Sequence, residues 1–195
     1  MNPMNASTQG ATMKKLITVL GGAALAVALA CGGGGGGGST TTPPSGPTPL
    51  TAGQHTLGLS VAMGGGTTVP VSGIAVTVQL PAGVTVATGS GDPAAILDTS
   101  LSAGSAITGT SVLSGSHSAT TRQSKLTVVH GPTATWSGEY LRLNVTVPSG
   151  SSIYATDFTT LNATPVALKV VGVDTTAHST VVLTSQATAT LRVVD

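Results

Sequence analysis

The groups in this chain able to do chemistry are few, and their spacing keeps them apart. Its four histidines are His55, His117, His130 and His178, and no two stand at a ligand spacing such as His-x₃-His. No metal site is expected from them. The six carboxylates are Asp92, Asp98, Glu139, Asp157, Asp174 and Asp195. Glycoside hydrolysis needs two such groups facing one bond, and nothing in the sequence pairs them. Asp92 and Asp98 flank a loop whose carbonyls could complete a calcium shell, but calcium sites gather several carboxylates. Asp also favours turns, so both readings stay open there. Ser116 and His117 offer a nucleophile beside a base, yet neighbours on a strand point to opposite faces. No Gly-x-Ser-x-Gly elbow is present, and haem attachment needs a Cys-x-x-Cys-His run that one cysteine cannot supply. The expectation is a protein with no catalytic residues and no cofactor.

The aromatic residues point to binding. Trp136, Tyr140, Tyr154 and Phe158 all fall within 23 residues. Leu141, Leu143 and Val145 alternate as inward positions of a strand, which predicts that Tyr140 faces outward with Arg142 and Asn144. With Trp136 beside them, these four form a candidate ligand-contact set, a platform for sugar rings or a hot spot for a protein. The competing expectation is that Trp136 plugs the end of the fold and Tyr140 leans on a neighbouring strand.

The remaining reactive group is Cys31, the single cysteine of 195 residues. Lys14 and Lys15 precede an uncharged stretch from Leu16 to Ala30, the layout of a secretory signal peptide. Fifteen residues interrupted by Gly21 and Gly22 are too short for a spanning helix, which needs roughly 20. The expected signal peptide is 1–30, with Met13 a second candidate start. Ala28-Leu29-Ala30 suits ordinary signal peptidase. Ala28-Leu29-Ala30-Cys31 also resembles the lipobox of bacterial lipoproteins, with the Leu and the small residue inverted in order. That resemblance implies lipidation of Cys31 and anchoring to a membrane. Gly32, rather than Asp, follows the cysteine; in the lipoproteins it resembles this implies the outer membrane or cell surface. Residues 31–49 then read as a disordered tether. Gly32–Gly38 are seven glycines, followed by Pro43, Pro44, Pro47 and Pro49. Such a linker would lift a domain roughly 25–40 Å.

Residues 50–195 are long enough for one domain. Loss of Lys14 and Lys15 leaves five cationic residues against six anionic ones, too even a balance for nucleic acid. The hydrophobic period is two: Leu57, Leu59, Val61 and Met63; Ile74, Val76, Val78 and Leu80; Val84 and Val86; Leu126 and Val128; Leu141, Leu143, Val145 and Val147; Val166, Leu168 and Val170; Ala187, Ala189, Leu191 and Val193. Alternation marks half-buried strands. Pro81, Pro132, Pro148 and Pro165 sit at strand ends, where a sheet tolerates proline. Only Ile153 to Leu161 could hold a helical turn. The prediction is an all-β fold, a jelly-roll or Greek-key β-sandwich of about 8–9 strands.

The order of segments resembles the cohesin family. The resemblance rests on Ser72–Pro81, on Leu101-Ser102-Ala103-Gly104-Ser105, on Ser137–Val147 and on Ala189-Thr190-Leu191-Arg192-Val193. It implies a jelly-roll sandwich related to carbohydrate-binding modules, and binding rather than catalysis. Three functions are therefore expected to compete. The first is an envelope or surface lipoprotein presenting a scaffolding module to a protein partner. The second is a carbohydrate-binding module for extracellular or envelope polysaccharide. The third is a self-assembling structural protein of the envelope. A broad apolar patch on a sheet face favours a protein, a flat aromatic strip favours a glycan, and an unguarded edge strand favours assembly.

Overall fold

A computed structural model describes residues 46–65, 68–131 and 137–195. The expectations for Cys31, the signal peptide, residues 31–45 of the tether and Trp136 lie outside the described residues. Nine strands and one short helix follow one another in this order. β1 is Gly53–Met63, β2 Val71–Gln79, β3 Leu101–Ala103, β4 Ser111–Ser118, β5 Gln123–His130 and β6 Gly138–Val147. The helix α1, Ala155–Leu161, precedes β7 (Ala167–Asp174), β8 (Ser179–Val182) and β9 (Ala187–Val193). They form a four-stranded sheet, β3-β6-β1-β9, and a five-stranded sheet, β4-β5-β2-β7-β8. The paired strands are all antiparallel. The predicted all-β sandwich is what the chain builds.

Alternation explains the core. Leu57, Leu59 and Val61 of β1, with Leu141, Leu143, Val145 and Val147 of β6, turn inward from one sheet. Ile74, Val76 and Val78 of β2 and Leu126 and Val128 of β5 meet them from the other. Each such side chain, removed from water, contributes about 1.5–3 kcal/mol, against which chain entropy acts. Phe158, on α1, is also fully buried. The helix is longer than the single turn expected from Ile153 to Leu161, because Asp157 and Tyr154 close its start. The Asp157 carboxylate accepts from the Tyr154 amide at 2.8 Å.

The expected strand at Val84 and Val86 is reduced to an isolated bridge between Thr85 and Thr146. Val166, expected inside, is 54 % exposed, because β7 begins one residue later.

One irregularity corrects the sequence reading. Leu59 pairs with Leu141 and Ser60 with Glu139, so Tyr140 is an extra residue on β6. Such a bulge breaks the strict alternation of the strand. Tyr140 therefore does not face outward with Arg142 and Asn144. It is fully buried, and its ring lies 5.7 Å from that of His130 on the opposite sheet. The carbonyls around the bulge are taken up by the chain leaving β3. The Gly104 amide donates to Tyr140 O at 3.0 Å and the Ala106 amide to Glu139 O at 2.8 Å. Gly104 has no side chain for a physical reason: a Cβ there would fall on the Glu139 carbonyl.

Candidate functional site

The sequence-predicted contact residues do not come together as a platform. Tyr140 is inside. Arg142 lies on the outer face of the four-stranded sheet, where its Nε donates to Glu139 Oε1 at 2.6 Å. Glu139 is 91 % buried there because it lies over Gly58, the residue opposite Arg142; its Oε2 is 2.5 Å from where a Cβ of Gly58 would stand. Asn144 is half-buried and accepts from the Thr56 hydroxyl at 3.2 Å. Arg142 and Asn144 are thus tied into neighbouring strands. The outer face of the four-stranded sheet is polar there, with Thr56 bonded to Asn144 and Arg142 to Glu139.

Ser116 and His117 diverge as neighbouring strand residues must. Ser116 is exposed, opposite Lys125. His117 turns toward the interior, where Nδ1 lies 3.0 Å from Oγ of Ser124, a residue with no exposed surface. Burial lowers the pKa of His117, only partly opposed by a bond to the Gln123 backbone, and so favours the neutral ring. Asp92 accepts from the Ala94 amide at 3.0 Å, which is turn chemistry. Among the described residues no three His, Cys, Asp or Glu side chains gather as a metal site would need.

The other sheet carries the distinctive surface. Its register aligns outward-facing residues in rows across all five strands. Val112 of β4 stands opposite Val129 of β5, Val129 opposite Gly73 of β2, Gly73 opposite Val171 of β7, and Val171 opposite Val182 of β8. Val112 is 68 %, Val129 52 % and Val182 63 % exposed. Four valines thus form a row roughly 19 Å wide, given the strand spacing. The next row is Ser114, Thr127, Ala75 and Lys169, and the next Ser116, Lys125, Thr77 and Ala167.

Shallow hollows mark this face. One of about 180 Å³ has Gly73 and Ala75 in its floor, with Val129, Val171 and Lys169 around it. A second, of about 260 Å³, lies among Ser114, Ser116, Lys125 and Thr127. Thr127 is common to both, so the depression continues across the sheet. Gly73 shapes it, since a Cβ there would come within 3.0 Å of Val171 and 3.9 Å of Val129.

The sequence reading missed this row, though a signal for it existed. Val128-Val129, Val170-Val171 and Val181-Val182 are apolar doublets. In a two-sided strand one member of each doublet must face away from its own core. No family model, curated protein or solved structure matches the chain.

Proposed function

We propose that this chain is a non-catalytic envelope lipoprotein, anchored through Cys31, whose sandwich binds a protein partner on the outer face of the five-stranded sheet. The observation that carries the reading is the row of exposed Val112, Val129 and Val182 on one face, with half-buried Val171 aligned between the last two. Exposed aliphatic side chains aligned on one flat face mark a protein interaction surface. The cohesin-like resemblance, which implies a scaffolding module, agrees with it. A glycan-binding strip finds less support. Among the described aromatic residues Tyr140 and Phe158 are buried and Tyr154 is half-buried. Assembly through sheet edges is also less favoured. The segment around Ala95 and Ile96 bonds to β4, and Thr159 of α1 donates to Leu191 O of β9 at 3.3 Å.

The valine row also lies at the end of the sandwich away from Gly53, where β1 begins. The chain enters at the start of β1, where Gly53 pairs with Val147. β1 ends at Met63 and β2 returns from Val71, so Gly73 is near the opposite end of the sandwich. The length of β1 puts roughly 30 Å between the two ends.

Site-specific photo-crosslinking in intact cells tests the proposal. A photoreactive residue at Val129 should give an adduct with one protein, and the same residue at Thr188 on the other sheet should not. Val112→Lys should remove the Val129 adduct without changing the melting temperature. An absence of adducts at both Val129 and Val182 would sink the reading.

A further inference from the structure

We infer that the free edge of β8 pairs with the same edge of a second copy of this chain, joining their five-stranded sheets into one. The hydrogen-bonding parity of β8 supplies the open groups. The Leu183 amide donates to Val170 O at 2.8 Å. Antiparallel strands exchange such bonds only between directly opposed residues, at every second pair. β7 and β8 therefore bond through Gly172 with Val181 and through Asp174 with Ser179. Thr180 and Val182 point their amides and carbonyls the other way, off the sheet, and neither meets another partner among the described residues. Both residues are exposed, Val182 to 63 %. The other edges are covered or shorter. β4 is bonded by the segment around Ala95 and Ile96, β9 is flanked by α1, and β3 is three residues long.

This edge is complementary to itself. In an antiparallel pair centred on Val181, Thr180 of one copy lies opposite Val182 of the other. Each such pair exchanges both of its bonds, so every outward amide meets an outward carbonyl and none is left over. Ser179-Thr180-Val181-Val182 carries no charge and no proline, the usual guards of an edge. Nothing on the strand repels or blocks a copy of itself. Its short length is the remaining guard. A contact through four residues buries far less than the ~1,600 Å² of a standard interface, which makes the association weak. The symmetry is closed, because a two-fold axis uses up the open β8 edge of each copy and leaves none for a third. The product is a dimer and not a fibre. The axis stands perpendicular to the sheet, so both copies turn their valine-bearing face to the same side, with the two rows offset by about 6.8 Å.

The test uses the mature chain with Cys31→Ser, which removes disulfide pairing. Between about 20 µM and about 1 mM its sedimentation mass should rise toward that of a dimer, the range in which a weak contact forms. In ¹⁵N spectra the amides of Thr180, Val181 and Val182 should shift with concentration while those of Gly73 and Val129 stay. Val182→Pro removes an amide that has no partner within the chain, so the melting temperature should hold and the association should weaken at least about tenfold. Val181→Pro breaks a bond to Gly172 and should lower the melting temperature. Thr180→Lys keeps every backbone group and should weaken the association by charge alone; it decides the matter if the proline variant unfolds. A mass that stays monomeric at about 1 mM overturns the inference. So does association that survives Thr180→Lys, and so do shifts centred on Val129 and Val171, which would seat the copies face to face. The protein-binding reading is tested separately by the Val129 adduct and does not depend on this edge.

Discussion

His55 and Asp195 join the start of β1 to the second residue after β9. The His55 Nδ1 donates to the Asp195 carboxylate, and its Nε2 faces Thr51 O at 2.8 Å. The other carboxylate oxygen accepts from the Thr56 amide at 2.6 Å. Both ring nitrogens face acceptors, so both bonds form only when the imidazole carries two protons.

The pH dependence of stability follows from that geometry. The Thr51 carbonyl, then the Asp195 carboxylate, raise the His55 pKa against the opposing effect of burial. Burial pushes Asp195 up, but the Thr56 amide and His55 outweigh it and leave its pKa lowered. A raised histidine contributes stability that is present below its unfolded pKa and lost as pH rises through the folded one. A lowered carboxylate contributes stability present above its unfolded pKa and lost as pH falls through the folded one. Thermal stability should therefore be greatest between about pH 4 and 6.5 and decline on either side. In melting curves recorded across pH, His55→Ala should flatten the alkaline decline. An unchanged profile would refute the clasp.

Tyr140 should behave as a core residue. Tyr140→Ala should cost about 3–5 kcal/mol in denaturant unfolding, the range for removing a large buried ring. Arg192→Ala, exposed on the outer face of the same sheet, should cost no more than about 0.5 kcal/mol. Comparable losses at the two positions would contradict the bulge.

Asn162 completes the sheet where α1 ends. It is 2 % exposed; its Oδ1 accepts from the Gln79 amide and its Nδ2 donates to Gln79 O, each at 2.8 Å. The same Nδ2 donates to Phe158 O at 2.8 Å. Asn162→Ala strips partners from the end of β2 and should cost about 1–3 kcal/mol for each buried group left without one. Hydrogen exchange at the Gln79 amide should accelerate in this variant. A silent substitution would show that water replaces the side chain.

The proposed anchor at Cys31 can be read from a mass. Intact mass of the mature protein from isolated membranes should begin at Cys31 and carry a lipid increment. Cys31→Ser should abolish that increment and release the protein from the membrane fraction. An unmodified Cys31 terminus in the medium would make this a freely secreted binding protein.

Much of the fold was legible because its inward positions carry long aliphatic side chains. β1, β2 and β6 announce themselves by Leu, Ile and Val at every second residue, and β9 by Ala187, Ala189, Leu191 and Val193. β4 did not, because its inward positions include Gly115 and His117 and its outward ones are mostly serine. Gly115 makes sense only once folded, since a Cβ there would come within 2.9 Å of Ile96 and 3.2 Å of Leu126. Tyr140 was misplaced because alternation was carried one residue past Leu141, into a bulge that period two cannot register.

The class of the fold could be read along the chain, because period-two burial is a local property of its residues. Which valines share a face was set by strand register, which no stretch of sequence carries. Val112, Val129, Gly73, Val171 and Val182 belong to five strands, and the register of four strand pairings aligns them. A shift of one residue in any pairing would turn that strand's valine toward the core, so the row exists as a property of the assembled sheet.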